Sequence, residues 1–531
     1  MTDRDLLLVA YHFPPFGGSG VQRALKLARY LPETGWRVHV LTAAHAHYPL
    51  LDESLNDELG PNVQVHRVSG YEPGAIAASL CRSRRDESNE PSSPTLLENR
   101  IYWRLNRGCD LLHLPETEML WIGPAVRAAR KIINKHAIRA VVTTSPPHSI
   151  QRVGRELQRR LGIPWIADLR DPILDAFVYD PPTSRADRYW CRLEKMIVSE
   201  ADRVVVTCPD LADRLQDRYQ SAPPCRFTTI TNGYDPGDYS APEKSVHNES
   251  HLNTPIATAT PCGTGFQLAP GCHAYTTRPF GAGKHADHRG SDKCATDSNS
   301  AICGIEFQRV QGLQKGNSKL KRFRLGSVGV FYRAQTIQPI LKAVRAMLSA
   351  QPNLTRQFEF RVVGTLSAEQ RKHLRESDDT FLTLTGQQTH AKAVAEMAAM
   401  DSLFLMTPDH PGGRYCIPAK TFEYLAFGGH ILALVHPDTA LERILREAGN
   451  VTIGYHGETA ALQSAILKQI ERWAGGCPNE HRDMRALRRF RRDTLATEFA
   501  GLLNACTERS ESVHVSREAA PASSPAEVRL A

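Results

Sequence analysis

Twice along this chain, short runs rich in leucine and β-branched residues alternate with amphipathic stretches, and that alternation leaves few folds open. In the first half the runs are Leu6–Ala10, Arg37–Leu41, Val63–Val68, Ala140–Thr144, Pro164–Ala167, Arg203–Thr207 and Phe227–Thr231. Amphipathic stretches at Val21–Leu31, Pro124–Lys135, Ser149–Leu161 and Tyr189–Val198 lie between them. In the second half the runs are Arg324–Phe331, Glu359–Val363, Phe381–Leu384, Ser402–Met406, Ile431–Leu434 and Val451–Ile453. Helices are expected there at Ile337–Leu348, Ala391–Met400, Ala419–Phe427, Thr439–Glu447 and Thr459–Trp473. Strands this short and apolar suit a parallel sheet covered on both faces, and repeated strand–helix units wind such a sheet doubly. The chain is therefore read as α/β, with two Rossmann-like doubly wound domains, 1–240 and 321–478, facing a cleft.

Residues 241–320 break the pattern. They are rich in Gly, Thr, Ser, His and Pro, and such a composition buries too little apolar surface to offset its ordering entropy. A disordered insertion is expected. It holds Cys262, Cys272, Cys294 and Cys303, spaced far more widely than the close pairs of zinc modules. A basic helix at 479–509 and a solvated tail at 510–531 complete the organisation.

No apolar run approaches the roughly 20 residues that cross a bilayer, and the start, MTDRDLLLVAYHFPP, reads as a first buried strand rather than an export signal. A cytoplasmic location is expected, and the 12 cysteines are expected to be free thiols. The 65 basic and 57 acidic residues give a net charge of +8. That excess suits anionic substrates or an anionic membrane surface and is too diffuse to indicate nucleic acid.

In paired doubly wound domains the ligand lies outside the carboxyl ends of the strands, so the chemistry should sit in the loops that follow them. Tyr11–Gly20 follows the first run and opens a helix; Gly17 and Gly18 let backbone approach a ligand, and the free amides beyond favour negative charge. A dinucleotide fingerprint fails here. Arg23 stands where its third glycine belongs, and Arg37–Thr42 ends without the acid that would bind a ribose.

The clearest signal is Ile417-Pro-Ala-Lys-Thr-Phe-Glu-Tyr-Leu-Ala-Phe-Gly-Gly429. Pro418 suits a helix start and Gly428–Gly429 a stop. Amides near Pro418–Thr421 and the Lys420 ammonium would face a diphosphate. Glu423, one turn along the same face, can accept two hydrogen bonds from ribose hydroxyls.

With Leu114–Trp121, Thr144–Ser149, Pro164–Asp171 and Thr231–Asp235 in that order, these motifs resemble retaining glycosyltransferases of family 4, with the GT-B fold, of a type that builds cell-surface polysaccharide. The resemblance spans both domains but neither the insertion nor the tail. It implies a nucleotide-diphosphate sugar as donor, a glycan or lipid-linked acceptor, no cofactor and no metal. It places Gly17, Gly18, Lys420, Thr421, Glu423, Gly412 and Gly413 at the donor. His148 would contact the transferred sugar, and Asp168, Arg170 and Asp171 the acceptor. Arg333 and Lys420 would neutralise the leaving diphosphate. The family's usual earlier glutamate, eight positions before Glu423, is replaced here by Tyr415.

Basic residues on the first helix (Arg23, Lys26, Arg29), on another (Arg127, Arg130, Lys131, Lys135) and at Arg485–Arg492 are candidate contacts to a membrane's inner face. Competing readings are a nucleotide-sugar epimerase, and a non-catalytic relative that serves as a binding partner in polysaccharide assembly.

Overall fold

All thirteen expected strands form. The computed structural model describes residues 4–47, 51–81, 94–239, 322–331, 336–375, 379–476, 482 and 484–518. The strands are β1 (Arg4–Ala10), β2 (Trp36–Ala43), β3 (Val63–Val68), β4 (Ile138–Ser145), β5 (Trp165–Leu169), β6 (Arg203–Val206), β7 (Phe227–Thr229), β8 (Phe323–Val328), β9 (Phe358–Val363), β10 (Leu382–Gly386), β11 (Ser402–Met406), β12 (His430–Val435) and β13 (Val451–Tyr455). The first seven make one sheet, in the order β3-β2-β1-β4-β5-β6-β7. The other six make a second, in the order β10-β9-β8-β11-β12-β13. Every strand pair is parallel. Strand order reverses between β1 and β4 and again between β8 and β11, so a crevice opens beyond each switch point. Both sheets belong to one compact unit of the chain.

Helices cover the sheets because one stripe of each is apolar. Val21, Leu25 and Ala28 of the Ser19–Tyr30 helix are at most 1% exposed. The helices Pro73–Cys81, Leu96–Leu111, Pro209–Arg218 and Ala368–Arg375 have no counterpart in the sequence reading. In Pro73–Cys81 almost every side chain is small or apolar, so no 3.6-residue period shows.

The basic segment after the second domain behaves differently from expectation. A short helix, Met484–Leu487, and a turn lead into a long helix, Arg492–Glu518, which runs past the expected boundary at 509 into the expected tail. Leu495, Ala496, Phe499, Ala500, Leu503 and Cys506 pack into the core under the first sheet with Leu6, Leu8, Val38 and Val142. Their spacing of three and four residues is one helical stripe. This helix belongs to the first domain. Its return is stitched to the outward crossing: the Tyr234 amide donates to the Phe490 carbonyl (3.0 Å) and the Arg492 amide to the Tyr234 carbonyl (3.0 Å). A Cβ on Gly233 would lie 2.2 Å from the Phe490 carbonyl oxygen, which explains the glycine of Asn232–Gly233. The 241–320 insertion and residues 519–531 lie outside the described residues.

Candidate active site

The helix Lys420–Phe427 begins within two residues of Pro418 and ends at Gly428, whose φ of 78° is left-handed. Two contacts anchor its carboxyl half. The Tyr424 hydroxyl, fully buried, accepts from the Val328 amide at the end of β8 (2.7 Å). Arg482 donates to the carbonyls of Tyr424 (2.9 Å), Leu425 (2.8 Å) and Gly429 (2.8 Å), placing a cation on the negative end of the helix dipole. Arg482 lies in the segment expected as a basic helix, 479–509, and nothing in the sequence tied it to this helix end.

This anchoring fixes two charged side chains at the edge of the second sheet. The Lys420 ammonium lies 5.2 Å from the centre of the Phe331 ring, and its stem passes beside Gly329 in the loop after β8. Burial, opposed by Glu423, pulls the Lys420 pKa down to about 8. Burial raises the Glu423 pKa, against the charges of His390, Arg492 and Lys420. Both groups are half-exposed to water although densely walled by protein.

The surroundings of Glu423 come from three distant parts of the chain. His390 opens the His390–Ala398 helix and pairs with Asp238 of the first domain (2.9 Å). Burial works to lower the His390 pKa, but Asp238 and Glu423 prevail and raise it. Arg492, 7% exposed, begins the returning helix and feels both Glu423 and Asp238. His390 and Asp238 were absent from the sequence reading because nothing local marks them, and Arg492, grouped there with the membrane-facing cluster Arg485–Arg492, is buried against these acids instead.

On the facing domain, the loop after β4 carries His148. Its Nδ1 lies 3.1 Å from the Ser145 hydroxyl, and its ring meets Trp190 edge-on at 6.3 Å. Burial, and then the charge of Arg170, hold its pKa down to about 3, so the ring is neutral near pH 7. The Glu116 carboxylate accepts the His148 and Ser149 amides (2.9 and 2.7 Å) and so fixes this turn. Burial and the neighbouring Glu118 push the Glu116 pKa up to about 7. Glu116 lies within the quoted Leu114–Trp121 motif, but no role had been attached to it.

Residues 17–233 match a family model described as Glycosyl transferase 4-like domain. Sucrose-phosphate synthase from Thermosynechococcus elongatus is similar in structure, with a TM-score of 0.50 and 15% identity over 97% of this chain and 100% of that one. So is a UDP-forming α,α-trehalose-phosphate synthase from Burkholderia xenovorans, in complex with glucose-6-phosphate, at 0.54 and 12% over 94% and 100%. The catalytic domain of starch synthase IV from Arabidopsis thaliana, bound to ADP and acarbose, scores 0.51 at 11% identity over 96% and 99%. No curated protein matches in sequence. The chain is a glycosyltransferase of GT-B fold.

Several residues expected at this glycosyltransferase's ligands do other work. Asp168 is fully buried, with its carboxylate gripped by Arg23 (2.7–3.2 Å) and Thr144 (2.6 Å), so it offers no exposed oxygen to an acceptor. Arg170 donates to the carbonyls of Ser145 (3.1 Å), Pro146 (2.7 Å) and Gly20, tying the glycine loop to the turn before His148. Asp171 alone of the three is exposed. The protein packed densely around its accessible carboxyl raises its pKa against Arg170, and its charge reaches Cys416 on the second domain.

Gly412 and Gly413 are packing residues. A Cβ on Gly412 would meet the Asp175 carbonyl oxygen at 2.2 Å, and one on Gly413 the Pro408 carbonyl oxygen at 2.3 Å. Their amides already donate to the His410 ring (3.0 Å) and carbonyl (2.7 Å) rather than facing a sugar. Thr421 is fully buried and its amide donates to the Pro418 carbonyl (2.9 Å). Gly17 is buried, whereas Gly18, at φ 86°, precedes the Ser19–Tyr30 helix. Arg333 lies outside the described residues.

The expected membrane face of the first helix is also internal. Arg23 and Lys26 are 5% and 2% exposed. Lys26 pairs with Asp235 (2.7 Å) and Glu58 (2.5 Å), and the Tyr30 hydroxyl adds a bond to Asp235 (2.9 Å). The carboxylate of Thr231–Asp235 is thus what holds the crossing segment against the first helix.

Proposed function

We propose that this glycosyltransferase moves a sugar from a nucleotide-diphosphate sugar to a glycan or lipid-linked acceptor in cell-surface polysaccharide synthesis, without a metal and with retention of configuration. The observation that carries the reading is the pair Lys420 and Glu423, one turn apart on an anchored helix at the carboxyl edge of the second sheet. Two of the structural relatives, one in complex with glucose-6-phosphate and one bound to ADP and acarbose, support a sugar and a nucleotide as the ligand classes.

Breaking the anomeric bond places negative charge on the departing diphosphate and positive character on the ring. Fixed positive potential at the diphosphate lowers that barrier. Lys420 supplies it here, with the first amides of its helix and, by the family resemblance, Arg333. Glu423 accepts the ribose hydroxyls. Neutral His148 presents a ring nitrogen to a sugar hydroxyl, and Asp171 receives the acceptor. Thermal shift with a panel of nucleotide sugars tests the reading: one or more should raise the unfolding midpoint, and a flat response across the panel would sink it.

Lys420 makes the reading depend on pH. With its pKa near 8 in the free protein, the ammonium is present below that value and lost as pH rises through it. A terminal phosphate, with its last pKa about 6, is already fully ionised there. Nucleoside diphosphate affinity is therefore expected to fall as pH rises above 8. In Lys420→Arg, whose guanidinium stays charged, the fall should vanish. Superimposable pH profiles by calorimetry would contradict the role.

Peripheral membrane contact finds support on a different helix from those first considered. On Leu96–Leu111 the outward face carries Leu96 (75% exposed), Leu97, Trp103 and Leu111 together with Arg100, Arg104 and Arg107. Arginines mixed with tryptophan and leucine suit the headgroup boundary of an anionic bilayer, and exposed Arg127 of the neighbouring helix lies beside Tyr71. The protein is expected to sediment with phosphatidylglycerol vesicles at low salt, and Arg100→Glu/Arg104→Glu to remain in the supernatant. Equal partition of the two proteins would remove the helix from consideration.

A further inference from the structure

At the amino end of the first sheet, on the edge opposite the candidate active site, four side chains from separate elements meet. Asp5 on β1 and His39 on β2 are 1% and 2% exposed. His66 on β3 and His136, which follows the helix Ile122–Lys135, are half-buried. The His39 and His136 ring centres are 4.2 Å apart, and those of His39 and His66 are 5.6 Å apart. Nothing in the sugar-transfer reading uses them.

We propose that Asp5, His39 and His136 form a binding site for one zinc ion, with His66 as the outer partner of His39. One donor atom each from Asp5, His39 and His136 lie within 4.8 Å of one another, the one such trio found among the described residues. The His39 Nε2 to Asp5 Oδ2 separation is 3.6 Å, too long for a hydrogen bond. Two ligands about 2.0–2.1 Å from a tetrahedral zinc stand roughly 3.3 Å apart, so this pair needs little movement. The other nitrogen of His39 already has the partner that zinc-ligating histidines need: Nδ1 lies 3.3 Å from His66 Nε2. That contact points the Nε2 lone pair toward Asp5.

Arg37 grips Asp5 through Nε (2.6 Å) and Nη2 (3.2 Å), orienting the carboxylate while leaving it further lone pairs. Burial and the adjacent rings hold the His39 and His66 pKa values below the usual histidine range, which keeps the rings unprotonated. His136 lies at the partly exposed end of the trio, where its ring can turn inward and a water can complete four-coordination. Imidazole with one carboxylate favours zinc over magnesium or calcium. The ion would clamp the starts of β1 and β2 to the segment entering β4.

The test uses the full chain and zinc alone, titrated against a chromophoric chelator, with magnesium as the control metal. The parent is expected to hold one more tight zinc equivalent than His136→Ala, and zinc to raise the unfolding midpoint of the parent only. Zinc held elsewhere, including by the cysteines of 241–320, cancels in the difference. His66→Ala should keep the count and lose roughly 10- to 100-fold in affinity; it decides the matter alone if His136→Ala does not fold. An unchanged count in His136→Ala, or an unchanged affinity in His66→Ala where that variant decides, would overturn the site. Donor binding should be indifferent throughout, since the site lies at the far end of the strands.

Discussion

Glu423→Ala is expected to weaken nucleoside diphosphate binding roughly 100- to 20,000-fold, the equivalent of losing two hydrogen bonds to a charged acceptor at about 1.5–3 kcal/mol each. The fold should survive. Glu423 is half-exposed, and Asp238 remains opposite both His390 and Arg492 when its charge is removed. The anchors of the helix, Tyr424 to Val328 and Arg482 to the terminal carbonyls, do not involve it. Calorimetry on parent and variant, with circular dichroism to check folding, measures the effect. A variant that binds with parental affinity would mean that the ribose lies elsewhere.

The second large effect is on stability. Arg23→Met leaves the Asp168 carboxylate fully buried with only Thr144 against it. Removing one partner of a buried ion pair costs about 3–5 kcal/mol, because the charge left behind is uncompensated. Denaturant unfolding of Arg23→Met should show a loss of that order. Adding Asp168→Asn should restore much of it, since no charge is then stranded. Should the single variant unfold like the parent, the pair is not the internal brace that its geometry indicates. Had Asp168 been an acceptor ligand, the same substitution would instead have altered turnover while sparing the fold.

How far the sequence reached can be judged from particular residues. The strands were legible because most are short runs rich in leucine and β-branched residues, as strands of a covered parallel sheet must be; Val63–Val68 and Ser402–Met406 coincide to the residue. Pro418 and Gly428–Gly429 marked the ends of the donor-side helix by backbone geometry alone, which is local and therefore readable. The Leu96–Leu111 helix was missed because its outward face is itself rich in leucine and arginine, which blurs the period.

Side-chain roles in the first domain were read less well. Asp168, Arg23 and Lys26 look in sequence like surface or ligand charges, since Asp, Arg and Lys are seldom buried. They are internal here because their counter-charges arrive from elsewhere: Asp168 reaches Arg23 across 145 positions and Lys26 reaches Asp235 across 209.

The sequence by itself determined two doubly wound sheets and the helix that carries Lys420 and Glu423, because periodicity, caps and glycines act over a few neighbouring residues. Only the tertiary structure decided that Arg492 returns from the end of the chain to Glu423, and that His390 meets Asp238 across the domains. It also gathered Asp5, His39 and His136 at one sheet edge. The physical reason is that charge and coordination depend on distance in space, and a parallel sheet whose strand order differs from chain order makes neighbours of residues far apart along the chain.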